Sequence, residues 1–519
     1  MNIIPMPLEE KELSGKIFLS KNTIVSGDAV NTIAMVNAYI KSLPGSDANT
    51  LSILLDASMK TEQYSITCDG SDIIIHAGDE AGAFYAFQTL VQVFAGKVRA
   101  SAVAIKDEPK YSHRGFMLDS ARHFWSVDKV KQFLDVMANI KMNRFHWHLT
   151  DDQGWRIEIK KYPLLATKGS VRSSTPLTLK GYNMKTEPRD NKPYGEGCYY
   201  TQDELRDVVA YAKARHIEII PEVDMPGHMV AAIACYPELS CTGEPTEVSN
   251  RWGVMDNILC CGKQEVFDFA TDIIDEVLDI FPFKYFHIGG DEVPKDRWKK
   301  CPLCQKKIKE LGLKDENALQ GYFNNYIANY LKSKGRSLIG WNEILDGASE
   351  FDKDVIPQWW VHRKGDKNER EWLAGGGKVM LSMCDYIYMD HSYSMRPLKK
   401  TYSFSASKLA VSDDQVVGME IPQWTEYIRD EYKLDMMTFP RLLTFAEVCW
   451  TSENRKDYKD FENRLEAMRD YFVGTLRFEL PHQKVYRGKA KPLVVLNPYL
   501  FWAYHPYYEV EQNKMLMKK

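Results

Sequence analysis

The rhythm of apolar and polar positions changes near residue 107. Before it, YSITC (64–68), the turn residues DGSD and IIIHA (73–77) read as a β-hairpin, because apolar side chains alternate along each arm. Ala81, Phe84, Phe87, Leu90, Val91 and Phe94 then recur at helical spacing. Residues 1–106 are therefore expected to form a small N-terminal α+β domain, closed by the polar, proline-containing joint KDEPKY (106–111).

Beyond the joint, short apolar runs alternate with longer amphipathic segments. The runs are GFMLD (115–119), RFHWHL (144–149), IEIIPEVD (217–224), YFHIGG (285–290), SLIGW (337–341), VIPQWW (355–360), KVMLS (378–382) and VVGME (416–420). Ser126 can cap a helix that carries Val127, Val130, Phe133, Leu134, Met137 and Ile140 on one face, and Thr201 with Glu204 has capping-box spacing. Eight strand–helix alternations predict an α/β protein whose main domain, 107–475, is a (β/α)8 TIM barrel. An open doubly wound sheet fits less well, because no glycine-rich phosphate fingerprint follows the first run. A charge-rich helix is expected over 454–474, and residues 476–519 form a C-terminal extension packed on the barrel.

Composition adds limits. A chain of 519 residues suits a barrel plus an accessory domain. A net charge of −4 gives no sign of a nucleic-acid surface, and no apolar run approaches the roughly 20 residues of a membrane-spanning helix. Ten cysteines are too few for a disulfide scaffold. Cys301 and Cys304 form a CPLC pair, which without a second pair reads as surface thiols rather than a zinc site. Cys260 and Cys261 are adjacent and could not both point into one site from a strand.

Barrel chemistry gathers at the C-terminal ends of the strands. In chain order those ends carry Arg114, Asp119, Arg122 and His123; His146, His148, Asp151 and Asp152; Glu222, Asp224 and His228; and Asp291 and Glu292. Trp341 and Glu343 follow, then Trp359 and Trp360, Tyr388 and Asp390, and Trp424 and Glu426. Acids, a strong cation and indole rings on one rim suit an uncharged polyol, since carboxylates and Arg grip hydroxyls and aromatic faces stack on sugar C–H surfaces. His146 and His148 share a strand face opposite Trp147 and read as core histidines. PEVDMPGH (221–228) offers metal-ligand types but no clear two-metal spacing, and neither a metal nor a cofactor is expected.

Asp291 and Glu292 pose a geometric problem. Neighbours on a strand face opposite ways, so two adjacent acids cannot both serve one bond unless the backbone turns there. Retaining glycosidases of the usual kind hold two carboxyls about 5 Å apart across the sugar, normally from different strands. Adjacent acids suggest unequal roles, one protonating a leaving oxygen and one holding another part of the substrate, with the nucleophile supplied by the substrate.

HIGGDEV, preceded by RGFMLDSARHFW (114–125), NRFHWHLTDDQGWR (143–156) and PEVDMPGH and followed by WNE (341–343), YMD (388–390) and WTE (424–426), closely resembles family 20 glycoside hydrolases, the β-N-acetylhexosaminidases. The likeness covers most of the chain. It implies an exo-acting enzyme that removes terminal β-linked GlcNAc or GalNAc with retention, through an oxazolinium intermediate formed by the substrate's own acetamido group. It implies that Glu292 is the general acid and then base, and that Asp291 orients the acetamido group and stabilises charge on its nitrogen. For these roles Glu292 must hold a proton near neutral pH, which burial and the Asp291 charge would favour, while Asp291 stays ionised. By the same resemblance Arg114 binds the 3- and 4-hydroxyls, Glu426 the 4- and 6-hydroxyl side and Asp390 the 6-hydroxyl. Tyr388 bonds the acetamido oxygen, Trp341, Trp360 and Trp424 enclose the acetamido methyl and sugar face, and Asp151 with His228 supports the acid. At the sixth strand Trp359 competes with Trp360, and the resemblance favours Trp360.

The partners implied are an oligosaccharide or glycoconjugate with a terminal N-acetylhexosamine, with no nucleic acid and no membrane, and a homodimer is allowed. The start MNIIPMPLEEKELSG lacks a basic segment leading into an apolar one, so with a native first Met the expected location is cytoplasmic; a trimmed start would open the periplasm or the exterior. Two alternatives stand beside the leading reading. A disaccharide-releasing relative of the lacto-N-biosidase kind would need an open pocket shaped by the loops at 161–200 and 391–415. A non-catalytic glycan-binding barrel would be expected to lack Asp291 or Glu292. A metal-dependent hydrolase using His148, Asp151, Glu222 and His228 is a further class, distinguished by loss of activity in a strong chelator.

Overall fold

In the computed structural model, which describes residues 1–45, 47–175, 193–347, 351–488 and 508–518, the eight apolar runs become eight parallel strands. They are His113–Asp119, Arg144–His148, Glu218–Glu222, Tyr285–His287, Ser337–Trp341, Ile356–Trp359, Val379–Leu381 and Val416–Gln423. The ring closes, since Glu420 of the last strand pairs with Gly115 of the first, and Phe145 of the second pairs with both Phe116 and Ile219. The expected (β/α)8 barrel is therefore present. Strands covered on both faces can be apolar throughout instead of alternating, and every residue of His113–Asp119 is buried.

Helices surround the ring and end where local chemistry ends them. Val127–Asn139 begins at Ser126, whose hydroxyl accepts from the Lys129 amide at 3.2 Å. Gln202–Lys213 begins with the full capping box, in which Thr201 Oγ1 accepts from the Glu204 amide and the Glu204 carboxylate accepts from the Thr201 amide. The charge-rich segment expected as one helix is two, Tyr458–Ala467 and Arg469–Leu476, broken at Met468.

The N-terminal domain is a six-stranded mixed sheet with the helices Val30–Ile40 and Glu80–Phe94. The predicted hairpin is its centre, Tyr64–Asp69 against Asp72–Ala77. Its last strand, Arg99–Asp107, leads to the barrel's first at His113. The junction is sealed by buried charge. Lys141 Nζ donates to Asp107 at 2.9 Å and to the Tyr64 hydroxyl at 2.8 Å, and Trp450 Nε1 donates to the other Asp107 oxygen at 2.8 Å. Each polar group there has a partner, which a buried ion pair requires.

In the C-terminal part, residues 489–507 of the expected extension lie outside the described residues. Tyr508–Met517 is helical, and Glu509 accepts from the Tyr393 amide at 3.2 Å, which ties it to the barrel. Among the described residues no helix is long and apolar enough to cross a membrane.

Candidate active site

The fourth barrel strand stops at His287, with three residues between it and the acids. Gly289 and Gly290 then take left-handed φ values of 64° and 88°. A Cβ on Gly289 would fall 1.9 Å from Asp224 Oδ1, and one on Gly290 would fall 2.6 Å from Ile344 Cγ2, so both positions require glycine. Glu292 is itself left-handed at φ 47°, as is His228 at 51°, a strained state that tends to collect at functional sites. This turn resolves the problem of the adjacent acids. A carboxylate oxygen of each and a ring nitrogen of His228 all lie within 4.8 Å of one another.

Behind the acids runs a chain of buried hydrogen bonds. His228 Nε2 lies 3.9 Å from Asp291 and 3.7 Å from Glu292, while its Nδ1 sits 3.2 Å from Asp151 Oδ1. Asp151 Oδ2 is 2.6 Å from the Arg122 guanidinium and 2.9 Å from His148 Nε2. His148 Nδ1 meets Glu222 at 2.5 Å, and Glu222 also accepts from Trp341 Nε1 at 2.9 Å. His146 bridges Glu420 at 2.6 Å and Glu222 at 3.0 Å, so both histidines are core histidines, as their strand face implies.

The aromatic wall comes from four strand ends. The ring centroids of Trp341 and Trp424 lie 5.6 Å apart, those of Trp341 and Trp360 6.4 Å, and Trp360 stacks on Tyr388 at 5.9 Å. Trp360 Nε1 donates to Glu343 at 2.9 Å. Trp359 turns the other way, towards the helix Lys367–Ala374, with the Arg370 guanidinium 5.1 Å from its ring centroid. Asp390 and Glu426 complete the rim near Arg122, and the Arg122 guanidinium packs 5.0 Å from the Trp424 ring centroid.

Arg114 does not belong here. It is the second residue of the first strand and lies at the barrel's opposite, N-terminal end. Its guanidinium grips Glu62 of the N-terminal domain at 2.8 and 3.0 Å and donates to the Lys141 carbonyl at 2.7 Å. The cation at the site is Arg122, just past the strand's C-terminal end. Its Nε donates to Gln153 at 3.0 Å and its terminal nitrogens approach Asp151 at 2.6 Å and Asp119 at 3.4 Å. The signal was available: only Arg122 follows the end of the apolar run. Asp224, which accepts from the Gly290 amide at 3.1 Å, and Glu343 were likewise passed over as site residues.

Burial sets the electrostatics. It pushes Asp291 up to about 6, with the Glu292 charge adding and His228 opposing. The burial expected of Glu292 thus falls on its neighbour, for the Glu292 side chain is 39% exposed against 12% for Asp291. Burial also raises Asp390 to about 7, and Glu343 and Glu426 to about 7, the latter two assisted by the nearby charges of Asp291 and of Asp119 and Asp390. At Asp151 burial works the same way but is outweighed by Arg122 and His228, which hold its carboxyl far below the usual range. Burial disfavours the His228 cation, yet Asp151 and Asp152 hold it well above the ordinary imidazole value. Among the described residues, Asp291 Oδ1 and Asp390 Oδ1 are buried with no hydrogen-bond partner, so each is an acceptor with capacity to spare. Asp151, Asp224 and His228 could offer three ligand atoms to a metal ion, as could His228, Asp291 and Glu292, although the Arg122 charge at Asp151 would compete with a cation in the first set.

A (β/α)8 barrel with paired acids on a strained turn, a polar rim and an indole wall at its mouth is the architecture of a glycoside hydrolase. Residues 111–453 match the profile of the glycosyl hydrolase family 20 catalytic domain, and residues 1–108 match domain 2 of the same family. The chain belongs to glycosyl hydrolase family 20. A protein named beta-hexosaminidase from Porphyromonas gingivalis is 38% identical over 507 residues, covering 90% of this chain; the chain spans 62% of that protein's length. A beta-hexosaminidase from Akkermansia muciniphila is 30% identical, with 83% of this chain and 89% of that protein covered. The crystal structure of a β-N-acetylhexosaminidase from Bacteroides fragilis aligns with a TM-score of 0.79 at 30% identity, covering 92% of this chain and 96% of that one. A family 20 exo-β-N-acetylglucosaminidase from Vibrio harveyi, in complex with N-acetylglucosamine, gives 0.79 at 29% identity, covering 92% and 77%.

Proposed function

We propose that the protein is an exo-acting β-N-acetylhexosaminidase that hydrolyses terminal, non-reducing β-linked GlcNAc or GalNAc with retention of configuration. In the first step the acetamido oxygen of the substrate attacks the anomeric carbon while the bond to the leaving oxygen breaks. Glu292 delivers its proton to that oxygen. Asp291 accepts from the acetamido N–H and stabilises the positive charge that develops there, giving an oxazolinium ion. In the second step Glu292, now a carboxylate, takes a proton from water as the water oxygen attacks the same carbon and the acetamido oxygen departs. Two inversions leave the configuration unchanged.

The observation that carries this reading is the left-handed turn at residues 289–292, which brings Asp291 and Glu292 to one side with the buried Oδ1 of Asp291 unpartnered. Two acids presented side by side from one turn suit two neighbouring substrate groups, the leaving oxygen at the anomeric carbon and the adjacent acetamido group. Arg122 takes the hydroxyl-binding role first given to Arg114. Three of its five N–H groups are engaged by Gln153, Asp151 and Asp119, which leaves two for sugar hydroxyls beside Asp390 and Glu426. Trp341, Trp360, Trp424 and Tyr388 enclose the acetamido group.

The test is release of p-nitrophenol from its β-GlcNAc, β-GalNAc and β-glucose glycosides by the native protein, Asp291→Ala and Glu292→Gln. The expected result is turnover of the N-acetylated sugars alone, with both variants impaired by about 10² or more in kcat, the scale on which positioned acids and charge stabilisers act. Native rates in either variant, or equal turnover of the glucoside, would overturn the assignment.

A further inference from the structure

Four cysteines from three separated stretches meet beside the active-site loops. Cys241 follows the helical turn Pro237–Leu239, Cys260 follows the residue that bridges Ser240, and Cys301 and Cys304 open the helix Pro302–Glu310. Cys260 Sγ lies 3.6 Å from both Cys301 Sγ and Cys304 Sγ, and Cys241 Sγ lies 3.9 Å from Cys304 Sγ. One sulfur from each of the four falls within 4.8 Å of every other. The sequence reading of Cys301 and Cys304 as surface thiols is therefore corrected. Both are buried, and the second pair missing from the sequence pattern is assembled by the fold from positions 241 and 260. Of the adjacent Cys260 and Cys261, only Cys260 joins the cluster.

The spacing identifies the chemistry. A tetrahedral ion with zinc–sulfur bonds of about 2.3 Å has sulfur–sulfur edges of about 3.8 Å. The observed separations of 3.6 and 3.9 Å bracket that edge, whereas a disulfide would bring two sulfurs to about 2.05 Å. Four thiols are weak hydrogen-bond partners for one another, and as thiolates they would repel without a cation between them. The surroundings supply a backbone donor and positive charge: the Gly262 amide faces Cys260, and Lys295 and Lys307 lie near the adjoining Cys261. A Cβ on Gly262 would fall 2.4 Å from the Cys304 amide nitrogen, so the two arms can approach only with glycine there.

We propose that Cys241, Cys260, Cys301 and Cys304 bind one zinc ion as a closed, four-thiolate structural site. The four thiols give up their protons and the metal undergoes no redox change. Four protein ligands leave no open position, so this zinc holds structure and takes no part in hydrolysis. What it holds is specific. Cys241 and Cys260 belong to the stretch after the third barrel strand, which carries His228, and Cys301 and Cys304 to the stretch after the fourth, which carries Asp291 and Glu292. The loop between Cys241 and Cys260 reaches back to the site, where the Ser249 amide donates to the Asp152 carbonyl at 3.0 Å and Gln153 Nε2 donates to the Arg251 carbonyl at 2.7 Å. Trp298 Nε1 adds a donor bond to the Leu259 carbonyl at 2.9 Å. The ion would clamp the acid-bearing loop to the loop that supports it.

The experiment is elemental analysis of the full chain purified without chelators, and it needs no substrate. The expected content is about one zinc per chain, falling about tenfold or more in the double variant Cys301→Ser/Cys304→Ser together with a lower Tm. Should that variant fail to fold, cobalt exchange into the native protein decides the matter: cobalt bound there shows the visible bands of a tetrahedral site and an intense sulfur-to-cobalt charge-transfer band. Disulfides among these four cysteines in peptide maps, iron in place of zinc, or a metal-free folded protein whose thiols all react with a thiol reagent would each overturn the proposal.

Discussion

The exchange of one arginine for another offers a sharp test of the site. Arg114 and Arg122 are both buried, and both hold carboxylates, but at opposite ends of the first barrel strand. Arg114→Met removes two contacts to Glu62, at 2.8 and 3.0 Å, and leaves that mostly buried carboxylate without its cation, held among the described residues only by Asn143 Nδ2 at 3.0 Å. Breaking a buried ion pair from one side costs about 3–5 kcal/mol. The variant is therefore expected to lose several degrees in Tm while its folded molecules keep native kcat/KM. Arg122→Lys retains the charge beside Asp151 but loses the planar fork. Two hydrogen bonds from a cation to sugar hydroxyls contribute about 1.5–3 kcal/mol each, so their loss lowers kcat/KM by about 10² to 10⁴. The assay is p-nitrophenyl β-GlcNAc hydrolysis at a temperature where circular dichroism shows both variants folded. An Arg122→Lys enzyme within tenfold of native, or an Arg114→Met enzyme as impaired per folded molecule as Arg122→Lys, would refute the placement.

Two further outcomes follow from the electrostatics and the wall. Burial raises Asp291 to about 6, and the ion-stabilising role needs it charged, so kcat/KM falls as pH drops through about 6; because the His228 cation holds that value down, His228→Gln moves this acid limb to higher pH, and a limb that stays in place would contradict the coupling. Trp360→Phe keeps a ring at the wall but strips Glu343 of its 2.9 Å donor, and leaving a buried acceptor unpaired costs about 1–3 kcal/mol, or about 10- to 100-fold in kcat/KM if the pair holds the pocket in shape; unaltered kinetics would free Trp360 from that role.

The barrel was legible because its strands are covered on both faces, which leaves short apolar runs with polar, capped helices between them. The fifth run, SLIGW, is the fifth strand residue for residue. The aromatic wall and both acids could be placed because each stands at the end of a run or a few residues past it. Arg114 was misassigned because chemistry was weighed without strand polarity: it begins a run, and only the end of a barrel strand faces the site. Trp359 and Trp360 both fall in the sixth run, and only the structure separates them: the strand ends at Trp359, whose ring faces Arg370, and Trp360 follows it onto the wall. The exposure of Glu292 relative to Asp291 was not legible, because it depends on a left-handed turn whose direction no residue pattern specifies. The cysteine cluster was hidden for a related reason: Cys241, Cys260 and the CPLC pair are neighbours only after two different βα loops have folded against each other.

In the proposed reaction the substrate's acetamido group, and no enzyme carboxylate, forms the bond to the anomeric carbon. The most direct measurement is kcat/KM across p-nitrophenyl β-glucosaminides whose N-acetyl methyl carries zero, one, two or three fluorines. Fluorine withdraws electrons from the carbonyl oxygen while changing its size little. A steep, graded fall along the series is the predicted result, and a flat series would contradict the claim.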